Sequence, residues 1–198
     1  MARQRAFDRE VALEQALLTF WRHGYEATSV AELTAAMGIR PPSLYAAFGD
    51  KQRLFEEAVR RYQETYGAFT PRALAEEPTG RAAVERVLRE TAAEHTDDSH
   101  PAGCMIITAA VNCGPESAEV QELLREFREA GKAALKARID DDVAAGRLPA
   151  DTDTTGLATF YATVIQGMST QARDGASHAA LLRVATLAMS AWPAAPSP

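Results

Sequence analysis

The chain has few of the residues and patterns that define several protein classes. Only two of its 198 residues are cysteine, so a scaffold held together by several disulfides is excluded. No uncharged apolar run reaches the roughly eighteen residues of a membrane-spanning helix. The first ten residues, MARQRAFDRE, lack the apolar segment of a secretory signal. These absences predict a soluble, cytoplasmic protein.

Strand-type runs are also scarce, and aromatic residues make up only 7% of the chain. Hydrophobic residues, with alanine prominent among them, account for 46%, which is ample for a core. Because alanine favours helices and the β-branched and aromatic residues that favour strands do not cluster, the composition predicts a helical protein.

The net charge of −6 argues against a protein that coats nucleic acid without sequence preference, since such binding depends on neutralising phosphates. The charge is uneven, however. Residues 1–61 hold nine Arg or Lys and eight Asp or Glu, whereas residues 62–198 hold twelve and nineteen. A near-neutral head on an acidic body is compatible with DNA contact through one face. Arg3 and Arg5 belong either to an arm that touches DNA or to a solvated terminus.

The stretch from Ser29 to Phe48 has the pattern of two short helices joined by a tight turn. Apolar residues recur on one face of the first helix, and Gly38 follows where the turn favours a positive φ. Pro41 and Pro42 begin the second helix, where the N–H groups have no helical partner to lose. This pattern matches a helix-turn-helix, whose second helix enters the DNA major groove. An ordinary helical hairpin in a core gives the same local pattern.

Three flanking motifs favour the helix-turn-helix: Phe-x-x-x-Gly-Tyr-x-x-Thr-Ser, Leu-Tyr-x-x-Phe and Lys-x-x-Leu-Phe. They are formed by Phe20, Gly24, Tyr25, Thr28, Ser29, Leu44, Tyr45, Phe48, Lys51, Leu54 and Phe55. With these motifs, residues 16–62 resemble the DNA-binding domain of the TetR family of bacterial transcriptional regulators. The resemblance implies an all-α fold of about nine helices, with an N-terminal three-helix helix-turn-helix domain and a C-terminal helical domain for dimerisation and effector binding.

The predicted domains are a DNA-binding domain over residues 1–50, an effector-binding and dimerisation domain over residues 51–192, and a disordered, proline-rich tail over residues 193–198. A long helix is expected from Lys51 to about Phe69, followed by a break from Pro71 to Pro78. This helix is the only one predicted to belong to both the head and the body.

Arg40 is the first candidate for contact with base edges, for instance with guanine. Tyr45, Thr28 and Ser29 are expected to contact the DNA backbone, although helix capping alone explains Thr28 and Ser29. The resemblance implies that Lys51 contacts a phosphate. The complete predicted DNA-binding set is Thr28, Ser29, Arg40, Pro41, Pro42, Ser43, Tyr45 and Lys51.

The paired prolines depart from the family pattern, since many relatives have a lysine and a glycine at Pro41 and Pro42. Relatives also often have a histidine or an aromatic residue at Ala46 or Ala47. Proline cannot donate a backbone hydrogen bond, and alanine offers only a methyl contact. Direct readout is therefore expected to be sparse, and readout of DNA shape correspondingly larger.

The last two predicted helices, about Asp153–Asp174 and Ser177–Trp192, are apolar over more than the stripe of a surface helix. This width predicts that they serve both the monomer core and a second subunit, although burial within one chain gives a similar pattern. The resemblance favours a four-helix dimer interface. The predicted interface residues are Leu157, Tyr161, Val164, Ile165, Met168, Leu181, Leu182, Ala185 and Met189.

The resemblance also implies a pocket for a small effector in the body, without identifying that effector. Each apolar or aromatic side chain there, taken alone, is better explained by an ordinary core. The candidates for lining the pocket are Tyr62, Tyr66, Phe69, Met105, Ile106, Phe127 and Phe160.

His95, His100, Cys104 and Cys113 lie within nineteen residues, but no CxxC or HxxxH pair occurs among them. If residues 103–113 are helical, the two thiols lie on opposite faces. Two small buried thiols are therefore expected, rather than a metal site, and no cofactor is expected. No Ser/His/Asp set, catalytic carboxylate pair or phosphate loop is evident, so an enzyme is not predicted.

The sequence predicts a repressor that binds a near-palindromic operator as a homodimer. A small-molecule effector is expected to tilt the Lys51–Phe69 helix and release double-stranded DNA. Two alternatives remain: a thiol- or metal-responsive repressor, and a helical sensor or interaction protein without specific DNA readout. An activating role also remains open, because the sequence does not fix where the operator lies relative to a promoter.

Overall fold

The computed structural model describes residues 7–194, so the predicted arm residues Arg3 and Arg5 and tail residues 195–198 lie outside the described part of the chain. Over residues 7–194 the fold is helical, with ten α-helices, one of them a single turn, and a 3-10 turn at Pro115–Ser117. The helices are α1 (Arg9–His23), α2 (Val30–Met37), α3 (Pro41–Phe48), α4 (Lys51–Glu64), α5 (Phe69–Glu76), α6 (Gly80–Glu94), α7 (Met105–Thr108), α8 (Ala118–Ala144), α9 (Thr154–Arg173) and α10 (His178–Met189).

The predicted helix-turn-helix is confirmed, and its ends follow from local sequence. Ser29 caps α2 in a capping box: its hydroxyl accepts from the Glu32 amide, and the Glu32 carboxylate accepts from the Ser29 amide. Gly38 ends α2 with a φ of +65°, a left-handed conformation that favours glycine. Pro41 and Pro42 occupy the first two positions of α3.

Buried apolar side chains form two clusters that share helix α8. The first joins α1–α4 to α7 and to the beginning of α8, at Val120 and Leu124. The second joins α5, α6, α9 and α10 to the later part of α8, at Leu135 and Ile139. Since α8 has 27 residues, it passes from one cluster to the other without a break.

Helix α4 is shorter than predicted. It ends at Glu64, after which Thr65 leaves helical geometry with a φ of −114° and a ψ of −89°. A separate helix, α5, then includes Pro71, where a break was predicted. Pro71 is tolerated because it is the third residue of α5, and the first N–H groups of a helix have no intrahelical partner.

The segment from Gly103 to Cys113 is helical for only one turn, at α7. Its beginning is buried as predicted, but Val111 is 60% exposed. Both cysteines are free thiols. Among residues 7–194, no helix is long and apolar enough to cross a membrane.

Residues around α7 connect the head to the body. The Tyr25 amide, in the turn after α1, donates to the Ala109 carbonyl at 2.7 Å. The Cys104 amide donates to the Ser169 hydroxyl of α9 at 2.9 Å. Gly103 allows this approach, since a Cβ there would lie 2.8 Å from the Ser169 carbonyl oxygen.

We expect Gly103→Ala to lower the free energy of unfolding by about 3 kcal/mol, because its φ of +79° strains an alanine and overpacking against α9 adds to that strain. Gly146→Ala is the matched control: its φ is +69°, but nothing lies within 4 Å of its added Cβ. It should lose only about 1 kcal/mol. Urea unfolding measures both, and equal losses would show that the α7–α9 contact is not tight.

Candidate functional site

Helix α3 exposes a compact face on the head. Leu44 and Phe48 are 0% and 3% exposed and hold the helix against the first cluster. Tyr45, on the outer side, is 50% exposed. Pro41 and Pro42 are also exposed, so the beginning of the helix projects from the domain. The face is small enough to approach another surface closely.

Arg40 directly precedes α3, with extended backbone geometry and an exposed side chain. It makes no side-chain capping bond to the helix. Ser43, one turn into the helix, is half-buried. The Arg40 guanidinium and the Tyr45 phenol therefore face solvent on this side of the head.

Lys51, the first residue of α4, is held in place by an aromatic ring. Its Nζ lies 4.3 Å from the centroid of Tyr25, a cation–π contact. Burial lowers the pKa of Lys51, whereas the negative charge of Glu26 raises it. The ammonium group thus lies over the ring of Tyr25, in the turn between α1 and α2, instead of extending freely into solvent.

The predicted roles of Thr28 and Ser29 separate in the structure. Thr28 is 1% exposed, and its hydroxyl donates to the Gly24 carbonyl at 2.6 Å. This hydroxyl is not available to a phosphate, which corrects the prediction for Thr28. The Ser29 hydroxyl donates to the Glu32 carboxylate at 2.8 Å, but Ser29 is exposed at the beginning of α2, where the free N–H groups of a helix suit an anion.

Several predicted interface residues belong instead to the monomer core. Tyr161, Met168, Leu181 and Ala185 are 0–3% exposed in the second cluster. They cannot meet a second subunit, because the inner faces of α9 and α10 cover α6 and α8. The remaining predicted residues are half-buried at the edge of that cluster: Leu157, Val164, Ile165, Leu182 and Met189.

The outer faces of α9 and α10 nevertheless expose large apolar side chains. Phe160, Val184 and Leu187 are 40%, 38% and 71% exposed. Arg173 and Arg183 are the only Asp, Glu, Lys or Arg residues in these two helices. The width of the apolar pattern predicted such a surface, but the pattern did not identify which residues face outward.

A cavity of about 640 Å³ lies between the two clusters, bordered by parts of α4 to α9. The middle of α8 contributes small residues to its wall, including Ala130, Gly131 and Ala134. Four of the predicted lining residues are present in this wall: Tyr62, Phe69, Ile106 and Phe127.

The other three predicted lining residues lie elsewhere. The Tyr66 hydroxyl donates to Glu14 at 2.7 Å, so this side chain faces α1. Met105 is fully buried in the first cluster. Phe160 lies on the outer face of α9. Apolar character alone could not distinguish a cavity wall from a filled core or a surface.

The polar residues of the wall, of which Thr91 and His95 are the most deeply buried, were not predicted from the sequence. They lie four residues apart at the end of α6 and are 0% and 2% exposed. The signal was present, because both continue the inward face of α6 marked by Val84 and Leu88. Burial, followed by repulsion from His100, lowers the pKa of His95 to about 4, so its imidazole is neutral at physiological pH.

Cys104 also borders the cavity. Burial raises the pKa of its thiol, although the residue as a whole is half-buried. The Tyr62 hydroxyl opposes that effect on the pKa. Since the thiolate is the reactive form, the structure holds Cys104 in its less reactive state. In the described residues, no group of three His, Cys, Asp or Glu side chains is arranged to hold a metal ion.

The lowered pKa of His95 makes stability depend on pH. The unfolded chain takes up a proton below about pH 6.5 and the folded chain only near pH 4, so stability falls as the pH drops through this window. From pH 7 to pH 5 we expect a loss of about 2 kcal/mol from His95. Urea unfolding at both pH values should show this loss, and His95→Gln should remove it. Identical pH dependence in variant and wild type would contradict the assignment.

The comparisons with known proteins agree with this arrangement. A family model described as "Bacterial regulatory proteins, tetR family" matches residues 12–58. A second, described as "Tetracyclin repressor-like, C-terminal domain", matches residues 80–188. The first match contains the helix-turn-helix, and the second contains α6 to α10 and part of the cavity wall.

Curated relatives from Escherichia coli K12 match nearly the whole chain. The transcriptional repressor ComR is 35% identical over 96% of this chain and 91% of its own length. The transcriptional repressor BdcR is 33% identical over 94% and 89%. Among solved structures, a cysteine mutant of the TetR family regulator CifR, complexed with 26-bp double-strand operator DNA, is 45% identical, with a TM-score of 0.93 over 97% of this chain and 100% of its own. The chain therefore belongs to the TetR family of bacterial regulatory proteins and is a DNA-binding transcriptional regulator.

Proposed function

We propose that the protein is a transcriptional repressor that binds its operator as a homodimer and releases it when a small molecule occupies the cavity. The observation that carries this proposal is the exposed face of α3, with Arg40 at its beginning, on a head held rigid by Leu44 and Phe48. We assign repression because the relatives ComR and BdcR are both named as transcriptional repressors. The proposed activity is binding without catalysis, and it takes place in the cytoplasm.

DNA contact is assigned to the exposed side of the head. Arg40 reads base edges, since a guanidinium can donate two hydrogen bonds to guanine in the major groove. Tyr45, Ser43, Ser29 and Lys51 contact the sugar-phosphate backbone. The exposed Pro41 and Pro42 let α3 approach the groove closely without contributing donors, so readout of DNA shape supplements the contacts of Arg40.

The apolar outer faces of α9 and α10 support pairing of two subunits. A twofold axis through these faces would bury Phe160, Val184 and Leu187 of both copies. Two heads related by that axis would read a near-palindromic operator.

The proposed division into a DNA-binding head (1–50) and a body (51–192) is one of function, because the head core continues into α4, where Leu54 and Phe55 are fully buried.

Two elements connect the cavity to the head. Helix α4 begins with Lys51 and borders the cavity at Tyr62, near its other end. The segment containing α7 borders the cavity at Ile106 and bonds the Tyr25 amide through Ala109. A ligand that repacks this wall would therefore displace both α4, which begins with Lys51, and Tyr25, whose ring contacts the Lys51 ammonium group. It would favour release only if it binds the DNA-free arrangement more tightly than the DNA-bound one.

The two alternative functions have less support. A thiol-responsive repressor needs a reactive thiolate, whereas burial keeps Cys104 protonated. A helical sensor without specific DNA readout would leave the exposed Arg40 and Tyr45 without a role. Selection from random double-stranded DNA with the purified protein separates this sensor from the proposed repressor, because only the repressor would enrich a near-palindrome.

We expect Arg40→Ala to weaken binding to the selected DNA by about 1–3 kcal/mol and to relax its sequence preference. The physical reason is the loss of hydrogen bonds to base edges. Arg89→Ala, which removes an exposed arginine from α6 in the body, is the control and should bind as the wild type. Gel-shift titrations measure both affinities, and unchanged binding by Arg40→Ala would remove Arg40 from the readout.

Leu187→Glu should convert the dimer into monomers, because it would place a charge in the proposed apolar interface. Val11→Glu is the matched control, since Val11 is 57% exposed, similar to Leu187 at 71%, but lies on α1 in the head. Sedimentation velocity at several concentrations gives the oligomeric state. The interface assignment fails if the Leu187 variant stays dimeric, or if both variants dissociate.

A further inference from the structure

The cavity between the two clusters has a positively charged wall. Arg128, Lys132 and Arg138 border it, whereas no Asp or Glu of the described residues does. Most of the remaining wall is apolar or aromatic, as at Phe69 and Phe127. Electrostatic interactions are stronger in such surroundings than in water, so the charge of the wall discriminates among ligands. A cation would meet repulsion there without a carboxylate to bind it.

Two of these three basic side chains are neutralised by neighbouring acids. Lys132 pairs with Glu129 at 2.7 Å, and Arg138 pairs with Asp141 at 3.3 Å. The Arg138 Nε has no hydrogen-bond partner within residues 7–194, but this atom has less than 1 Å² of accessible surface. Neither side chain therefore depends on a ligand for its counter-charge.

Within residues 7–194, Arg128 is the one cation of this wall without a carboxylate partner. Its Nη1 donates to the Ile106 carbonyl at 2.9 Å. Its Nε and Nη2 have no protein acceptor in that range and are not enclosed, so they remain open to a ligand. Burial lowers the pKa of Arg128, but an arginine stays charged at neutral pH. A partly buried cation without a counter-ion is unfavourable, and a bound anion would relieve it.

Arg128 lies where the cavity approaches the surface. Together with Ile107 and Gln166, it borders both the cavity and an outer pocket formed by α8, α9 and the residues after α7. The outer pocket opens to solvent at Glu122 and Arg125, which are exposed and pair with each other. A ligand with its charged end on Arg128 can therefore keep that end near water while its apolar part fills the cavity.

We propose that the cavity binds an apolar monocarboxylate, whose carboxylate pairs with Arg128 and whose hydrocarbon part occupies the cavity. A carboxylate suits a guanidinium because it accepts two parallel hydrogen bonds from it. One negative charge matches the one unneutralised arginine, whereas a phosphate monoester carries about 1.5 to 2. Pockets of about 300–1,000 Å³ hold small organic ligands, and this cavity has about 640 Å³. This class deepens the proposed function, since it rests on the cavity being the effector site.

The test uses three eight-carbon probes on the full-length protein without DNA at neutral pH: octanoate, octanamide and octylammonium. Isothermal titration calorimetry gives the affinities. Octanoate should bind about tenfold more tightly than octanamide, which has a similar shape, because only octanoate gains charge-assisted hydrogen bonds to the guanidinium. Octylammonium should bind more weakly than octanamide, because its charge has the sign of the wall.

Arg128→Gln should weaken octanoate binding by about tenfold and leave octanamide binding unchanged, because it removes the charge but not the cavity. Lys136→Gln is the matched control. It removes a positive charge from the same helix, but Lys136 does not border the cavity, so octanoate should bind as to the wild type. Arg128→Lys provides a second variant, which retains the charge and should still prefer octanoate to octanamide.

The inference is overturned if octanoate binds the wild type no more tightly than octanamide does, or if Arg128→Gln retains wild-type affinity for octanoate. Should that variant not fold, loss of the preference in Arg128→Lys overturns it instead. Release of the selected operator is measured separately by gel shift. Octanoate that binds through Arg128 but leaves the DNA complex intact would uphold the ligand class and refute the effector role. Release by octanamide as readily as by octanoate would uphold the effector role and overturn the carboxylate.

Discussion

The backbone hydrogen bond from the Tyr25 amide to the Ala109 carbonyl joins the turn after α1 to the residues after α7, and so helps to fix the head on the body. Gly24 permits it, since a Cβ there would lie 3.1 Å from the same oxygen. The Tyr25 ring packs against the Phe55 ring, with 5.0 Å between the ring centroids. It also contacts the Lys51 ammonium group. This short segment therefore connects the end of α1, the beginning of α4 and the cavity-bordering residues around α7. A displacement of any one of these three parts would shift the other two.

The cavity has a simple origin in the sequence of α8. Large side chains fill both clusters where this helix enters them, at Leu124 and at Ile139. Between these points Phe127, Arg128 and Lys132 also border the cavity, but Ala130, Gly131 and Ala134 are too small to fill the space. Larger residues at these positions would add buried contacts and stability at the expense of the space a ligand needs.

The parts of the fold that the sequence predicted well are those fixed by local chemistry. Ser29, Gly38 and the paired prolines set the ends of two helices without reference to the rest of the chain. The parts it missed depend on tertiary packing. The inward rotation of α9 and α10 buries Tyr161 against neighbouring helices, and no period in the sequence specifies that rotation. The position of His95 in a cavity wall likewise depends on how α6 packs against its neighbours, which the sequence pattern does not specify.

Arg173 of α9 donates to the carbonyls of Trp21 and Arg22, at 3.3 and 3.4 Å, where α1 ends. A cation there complements the negative end of the helix dipole. In the proposed dimer, the helix that joins the subunits therefore also holds each head, and the distance between the two heads is set as long as no ligand repacks the cavity wall. One base pair inserted at the centre of the binding site would rotate its second half by about 35° around the duplex axis, and heads held in this way could not follow that rotation.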